Sequence, residues 1–587
     1  MLTRACLRVA LSAVFSRVLD PRDLQAGSAP PLDTSLADEA EAWIDYVADT
    51  GDGFDATFTI ASLLAQPNLA VDGLADALPR AQLLVLGGDQ VYPTPGQRAY
   101  RDRFEGPFSA VDPRSRDDGP RLFAIPGNHD WYDGLASFLP VFGQEKALGG
   151  WRTTQRRSYF AIQLPRGWWL WGVDLLEGFP IDLVQLGFFR QVADEMSEGD
   201  RLIIVTSVPW WVEGEPDPGN GGNFAYLDRE LLRPTGIDDV VMIAGDSHHY
   251  MRYSSNGGEK HRITAGGGGA FLHPTHGAAT ALDDPGSQRL ATASTRGAEP
   301  PERRLGLVVT YPAPGRSRAL ALLAVLLPFR NLRFVVIPGA VAALLLWSTY
   351  AGGRGQPGIA MQPSAVLPTW SWSEYASLMF RTPVSLAVVV VLLLMLVGMA
   401  DPPRRARPGW RRGLARVVMG SAHLLALVAV VALCTVAAIA TVPPDLGLRA
   451  FAIAVTVAVV VAAGLGASLV LGAYFALCSA VPGMNAHGNE AFAASRLSGY
   501  KNFLRLHIDG DGVLDIYALG VRRVCRRWRA DPRGSADGPR LVPRIRLPSP
   551  QLIDRVTVRA DRSSSRVVDP SGRRGEPGTR TDREMDR

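Results

Sequence analysis

The sequence predicts an α/β domain with a sheet buried on both faces, followed by an all-α membrane region. Three observations predict this. Short continuous apolar runs alternate with helical periodicity from Ala42 to about Tyr311, four long and almost uncharged apolar runs follow Pro314, and the charge divides along the same line. Residues 1–300 carry a net charge of −15 and the remainder +19. At 587 residues the chain exceeds one ordinary core. The expected division is an N-terminal segment 1–39, an α/β domain 40–312, a membrane region 313–480, a small soluble segment 481–530 and a mostly disordered tail 531–587.

The acidic first half excludes a nucleic-acid footprint, which needs clustered cations. Lys146, Lys260 and Lys501 are the only lysines among 61 basic residues, a compositional trait of an arginine-rich chain. Four cysteines lie far apart with no CxxC pair, so neither a disulfide framework nor a zinc-thiolate site is expected. Arg4, Arg8 and Arg17 interrupt the apolar run of residues 1–20, which predicts an amphipathic helix in place of a signal peptide.

Within the α/β domain, each predicted strand ends in a polar loop. Ile44–Ala48 leads to Asp49-Thr50-Gly51-Asp52-Gly53 and then a helical stretch, and Leu83–Leu86 leads to Gly87-Gly88-Asp89-Gln90-Val91-Tyr92. Arg121–Ile125 ends in Pro126-Gly127-Asn128-His129-Asp130. Tyr159–Ile162 and Trp168–Val173 predict a hairpin through Pro165-Arg166-Gly167, and Ile181–Met196 has helical periodicity. Leu202–Val205 ends in Thr206-Ser207-Val208-Pro209, and Val240–Ala244 ends in Gly245-Asp246-Ser247-His248-His249. The run Gly266–Gly269 is either a flexible loop or a place where backbone amides approach a phosphate.

Phe334–Tyr350, Pro383–Met399, Val417–Thr441 and Phe451–Leu477 each approach the ~20 residues that a helix needs to cross hydrocarbon. Ala319–Leu327 is short and flanked by arginines, which suits an interfacial helix. The linker containing Arg404, Arg405, Arg407, Arg411, Arg412 and Arg416 is placed in the cytoplasm by the positive-inside rule. Both termini and the α/β domain follow it there. After the last span, Phe503–Ile508 and Val513–Leu519 flank Asp509-Gly510-Asp511-Gly512 and predict a hairpin.

Taken in order, the strand-end junctions read Asp49-x-Gly51, Gly88-Asp89-x-x-Tyr92, Gly127-Asn128-His129, Ser207-x-Pro209 and Gly245-Asp246-x-His248. Here the sequence resembles the calcineurin-like metallophosphoesterases over roughly residues 40–300. Its DxG and GDxxY pair is similar to the purple acid phosphatase variant. The resemblance implies a β-sandwich with flanking helices and two divalent cations, from Mn, Fe, Mg or Zn, that activate a hydroxide against a phosphomonoester, phosphodiester or pyrophosphate. It implies that Asp49, Asp89, Tyr92 and His248 hold one metal, and that Asp89, as a bridge, and Asn128 hold the second. Asp246 stands where the family has a histidine, and His129 becomes the hydrogen-bond donor or general acid.

Two positions depart from the family pattern. Ser207 and Asp246 replace histidines of the second metal, which favours harder metals or a single tightly held ion. The expected activity is that of a membrane-tethered phosphoesterase acting on a phosphorylated small molecule or lipid. The alternative is a catalytically degenerate sensor that binds a phosphorylated ligand and signals to the membrane region.

Overall fold

The computed structural model describes residues 25, 27 and 32–559, except 115–118, 176–180, 213–225, 233, 235–236, 284–303, 354–371, 403–408, 444, 485 and 534–537. The expected N-terminal amphipathic helix and the tail beyond residue 559 lie outside the described residues.

The chain adopts a mixed α/β architecture with several helices. Ala42–Val47 (β1), Leu83–Leu86 (β2) and Arg121–Ala124 (β3) pair in parallel. So do Arg201–Thr206 (β4), Asp238–Ala244 (β5) and His261–Ala265 (β6). Each set forms the middle of a larger sheet, of eight and nine strands respectively among the described residues. The sheets face one another across a core that takes Ile44, Val85 and Phe123 from the first and Leu170, Val205 and Ile263 from the second.

Their outer faces are apolar as well, which explains the unbroken hydrophobicity of the strand sequences. The first is covered by Phe54–Leu64 (α1), where Phe58 and Leu63 meet Leu84 and Leu86. The second is covered by Leu183–Glu195 (α2), where Phe189 stacks on Trp171 at 4.8 Å. The tryptophans of Trp168–Gly172 are thus core residues, with Trp168 facing inward and Trp169 and Trp171 outward.

The C-terminal part differs from the expected division into a small separate segment, 481–530, and a mostly disordered tail, 531–587. Lys501–Ile508 (β7) and Leu514–Val521 (β8) do form a hairpin, closed by Asp509, whose carboxylate accepts the backbone N–H groups of Asp511 and Val513. But β7 pairs antiparallel with β1, and Gln551–Val558 (β9) adds outside β8. The physical reason is burial: Leu504, Leu506 and Ile516 project into the same intersheet core as Ile44. The hairpin also covers what would otherwise be an open edge of β1. The apolar helical region is therefore an insertion between the last strands of the second sheet and β7 of the first.

That region contains Leu332–Gly353 (α3), Pro383–Met399 (α4), Trp410–Thr441 (α5) and Leu448–Ala480 (α6). Among the described residues, three helices are long and apolar enough to cross a membrane, at Leu332–Tyr350, Trp410–Thr441 and Arg449–Ala480. The 17-residue α4 is shorter. Helices α3 and α6 cross closely at two glycines: a Cβ on Gly339 would lie 2.3 Å from the Val460 carbonyl, and one on Gly464 would lie 2.5 Å from that of Val335.

Candidate functional site

The C-terminal ends of β1 to β6 deliver their loops to one edge of the sandwich, the usual place for ligands in α/β sheets. The backbone there is unusual. Asp49, Asp89 and Asp246 all adopt left-handed conformations, with φ of 58°, 53° and 61°. Aspartate tolerates this region better than most residues, but three instances at matching strand ends mark a site held in place by its surroundings. Main-chain bonds supply part of that constraint: the Asp49 and Thr50 N–H groups donate to the carbonyls of Gly88 and Asp89.

The side chains converge on the hydroxyl of Tyr92. Its oxygen lies 2.7 Å from Asp49 Oδ1, 3.0 Å from Asp89 Oδ2 and 3.0 Å from His248 Nε2. His248 Nδ1 sits 2.8 Å from the Phe271 carbonyl, an acceptor, so that nitrogen carries the proton and Nε2 presents a lone pair. Three acceptors therefore surround a hydroxyl that has one proton to give. All four residues are buried, and Asp49 Oδ2 has no well-formed hydrogen bond.

The electrostatics express the same deficit of positive charge. Burial, then the charges of Asp89 and Asp246, push the Asp49 carboxyl well above its usual range. Burial and Asp246 push Asp89 up to about 7, against the hydrogen bonds from the His129 amide and Tyr92. Burial, reinforced by His273 and Lys501, drives His248 well below its ordinary value, so its imidazole is neutral. Neutral imidazole, carboxylates and phenol crowded in a dry site suit a bound cation.

Spacing supports that fit. Ligands about 2.1 Å from an octahedral ion lie about 3.0 Å from one another. The contacts of 2.7, 3.0 and 3.0 Å around Tyr92 are hydrogen-bond distances that also match that edge length, whereas the 3.7 Å between His248 Nε2 and Asp49 Oδ1 is longer. Among the described residues, no group of three or more His, Cys, Asp or Glu side chains forms a metal cluster by itself. Here the tyrosine oxygen is the common neighbour.

The other residues anticipated from sequence lie on adjoining turns. Asn128 opens the short helix Asn128–Trp131, and its buried Oδ1 has no hydrogen-bond partner. The backbone N–H of His129 donates to Asp89 Oδ1 at 2.9 Å, while its ring Nδ1 lies 2.9 Å from the Pro93 carbonyl, leaving Nε2 available. Asp246 is half-buried, and its charge bears on both Asp49 and Asp89. Ser207 is buried against Gly88.

The glycine run is packed against the site, and alternate amides along it are taken up by main-chain carbonyls. Gly266, Gly268 and Ala270 donate their N–H groups to the carbonyls of His249, Ala48 and Asp49. A Cβ on Gly266 would lie 2.4 Å from Asp49 Oδ2, so only glycine lets the chain pass this close to the carboxylate.

Three further residues contribute that the sequence reading did not assign to the site. Asp130 is fully buried, accepts from the N–H groups of Gln90 and Gly127 and from the Tyr100 hydroxyl, and so ties the second strand-end loop to the third. Its adjacency to Asn128-His129 was the available signal. Lys501, from β7, is buried and donates to the Ala270 carbonyl; burial lowers its amine to about 8 despite the raising effect of Asp52 and Asp49. His273 stacks on His248 with ring centroids 3.9 Å apart. Neither of these had a local signal beyond the rarity of lysine.

No protein-family model and no curated protein matches this chain.

Proposed function

We propose that the chain is a membrane-tethered, metal-dependent phosphoesterase with a calcineurin-like sandwich. The observation that carries this reading is the set of three lone-pair donors, Asp49 Oδ1, Asp89 Oδ2 and His248 Nε2, around the single proton of Tyr92. Asp49, Asp89, Tyr92 and His248 would hold one divalent cation; Asp89, Asn128 and Asp246 would hold a second, more weakly for want of nitrogen ligands. When bound, the cations supply Lewis acidity toward a phosphoryl group and an activated water.

The chain's own residues provide the rest. His129 lies half-buried beside Tyr92; in its imidazolium form, with Nδ1–H on the Pro93 carbonyl, its Nε2–H gives a proton to the departing oxygen. Asp130 fixes the turn that carries Asn128 and His129, and the Phe271 carbonyl holds His248 in its ligand tautomer.

The apolar helices tether the enzyme. In this reading α4 spans with α3, α5 and α6, the arginine-rich linker lies in the cytoplasm, and the sandwich lies on that side. Outward-facing Leu394, Leu433 and Ile453, each more than 60% exposed, suit contact with lipid. The substrate class is a phosphorylated small molecule or a lipid phosphate. Elemental analysis of detergent-purified protein, paired with turnover of a panel of aryl phosphates, phosphodiesters and nucleotides, tests the proposal. Bound metal with metal-dependent turnover supports it, and absence of both removes it.

A second reading, a degenerate sensor of a phosphorylated ligand, draws on Ser207 and Asp246 in place of second-metal histidines. It predicts ligand binding that survives Asp89→Asn, with no hydrolysis by the wild type.

A further inference from the structure

Between α3, α4, α5 and α6 lies a cavity of about 410 Å³ lined by apolar side chains, among them Phe334, Val341, Leu396, Val428 and Leu471, with one ionisable residue, His423. Pro338 lines it too and, lacking an N–H, leaves the Phe334 carbonyl without its helical partner. An apolar cavity of this kind stays dry, and hydrocarbon is the filling its walls favour.

Its polar end is built differently. His423 is 6% exposed, and neither ring nitrogen has a hydrogen-bond partner. Leaving such a group unmatched is costly. On α5, residues spaced by four and then seven share a face, which places Arg412, Arg416 and His423 on one line leading out of the cavity. Arg416 Nε is buried without a partner, and Arg412 is fixed by Asp401, two residues beyond the cavity-lining Met399. On α6, Tyr474 follows Leu471 by one turn, and its ring stands 4.6 Å from that of His423.

We propose that this is a binding site for an anionic membrane lipid, with one hydrocarbon tail in the cavity and a phosphate headgroup held by His423 and Arg416. A neutral imidazole donates one N–H to a phosphate oxygen, and arginine is suited to phosphate by its fork of donors. The inference rests on the helices lying in a membrane and is independent of phosphoester hydrolysis. The polar end also adjoins the sandwich: His487 lies 5.5 Å from Tyr474 ring to ring, a Cβ on Gly488 would touch Pro274, and neighbouring His273 stacks on His248. A lipid headgroup here sits at the membrane end of a continuous path of contacts to the candidate site.

The test uses full-length protein in phosphatidylcholine nanodiscs doped with phosphatidic acid carrying a photoreactive tail, and in parallel with diacylglycerol carrying the same tail. Mass spectrometry should locate the phosphatidic acid crosslinks in peptides covering 334–345, 424–431 and 467–471. Arg416→Gln with His423→Leu should reduce that labelling about tenfold and leave diacylglycerol labelling unchanged. Val428→Trp, or the milder Val428→Phe, should abolish both by filling the cavity, in protein whose elution and melting match the wild type. Asp89→Asn should label as the wild type does, which separates this proposal from the phosphoesterase reading. Crosslinks confined to outward positions such as Leu433 and Ile453, or equal labelling by both lipids at every position, would mean annular lipid only and would overturn it; the wild-type map decides this even if every variant misfolds.

Discussion

Arg505 grips both carboxylate oxygens of Asp45, Nε to Oδ1 at 2.7 Å and Nη2 to Oδ2 at 2.8 Å, across 460 residues of sequence and the entire membrane insertion. Both side chains are almost fully buried. Breaking a buried pair from one side strands the other charge, at a cost of about 3–5 kcal/mol. Arg505→Ala should therefore lower the melting temperature in detergent sharply and open the sandwich to limited proteolysis. An Asp45→Leu, Arg505→Leu double variant should recover much of the loss. A single variant that melts like the wild type would contradict the claim that β7 belongs to the first sheet.

Much of the candidate site was legible because its signals are local. A buried parallel strand reads as an unbroken apolar run, and the polar residue that ends it is the one presented at the sheet edge, so Asp49, Asp89, Asn128 and His248 could be named in order. The pairing of β7 with β1 has no local signature, since either partner would make an acceptable edge strand alone. Lys501 was hidden for the same reason. The glycine run was misread because close packing against Asp49 and an open loop require the same residue. Helix α5 begins at Trp410, seven residues before the expected span at Val417, because Arg411, Arg412 and Arg416 are polar yet helical and hydropathy registers only the apolar part.

The backbone N–H of His129 donates to Asp89 and its ring Nδ1 lies against the Pro93 carbonyl, which leaves Nε2 for the proton transfer proposed above. His129→Ala keeps that amide. Turnover should fall about 10²–10⁴-fold with metal content unchanged, as checked by steady-state kinetics and elemental analysis on the same preparation. Loss of metal in step with activity would assign His129 to coordination instead.

Gly266→Ala places a Cβ 2.4 Å from Asp49 Oδ2 and 2.6 Å from the Ser247 carbonyl. Asp49 must move. Bound metal should drop and stability should fall by about 1–3 kcal/mol, the range for overpacking. Gly257→Ala, whose Cβ would find nothing nearer than 3.5 Å, is the control and should behave as the wild type. Equal metal binding by both variants would remove the glycine run from the site.

Acid should loosen the C-terminal strand. Burial alone would raise the Asp515 carboxyl, but hydrogen bonds from Arg555 and Thr557 on β9 outweigh it and hold it below its usual value. A depressed carboxylate stabilises the fold above its unfolded pKa, about 3.9, and that contribution is lost as pH falls through the lower folded value. Amides of 551–558 should lose protection below about pH 4 after correction for intrinsic exchange. Asp515→Asn should abolish that acid-dependent change, and an unaltered pH profile in the variant would count against the assignment.

The most direct test of the central claim is the metal content of purified wild-type and Asp89→Asn protein, measured beside phosphoester turnover. Asp89 touches both Tyr92 and the His129 amide and is assigned to both cation positions. The wild type should carry at least one divalent ion per chain and hydrolyse a phosphoester, with both properties lost in Asp89→Asn while folding is retained. A wild type devoid of metal after purification in metal-supplemented buffer, or turnover that survives the substitution, would contradict the account.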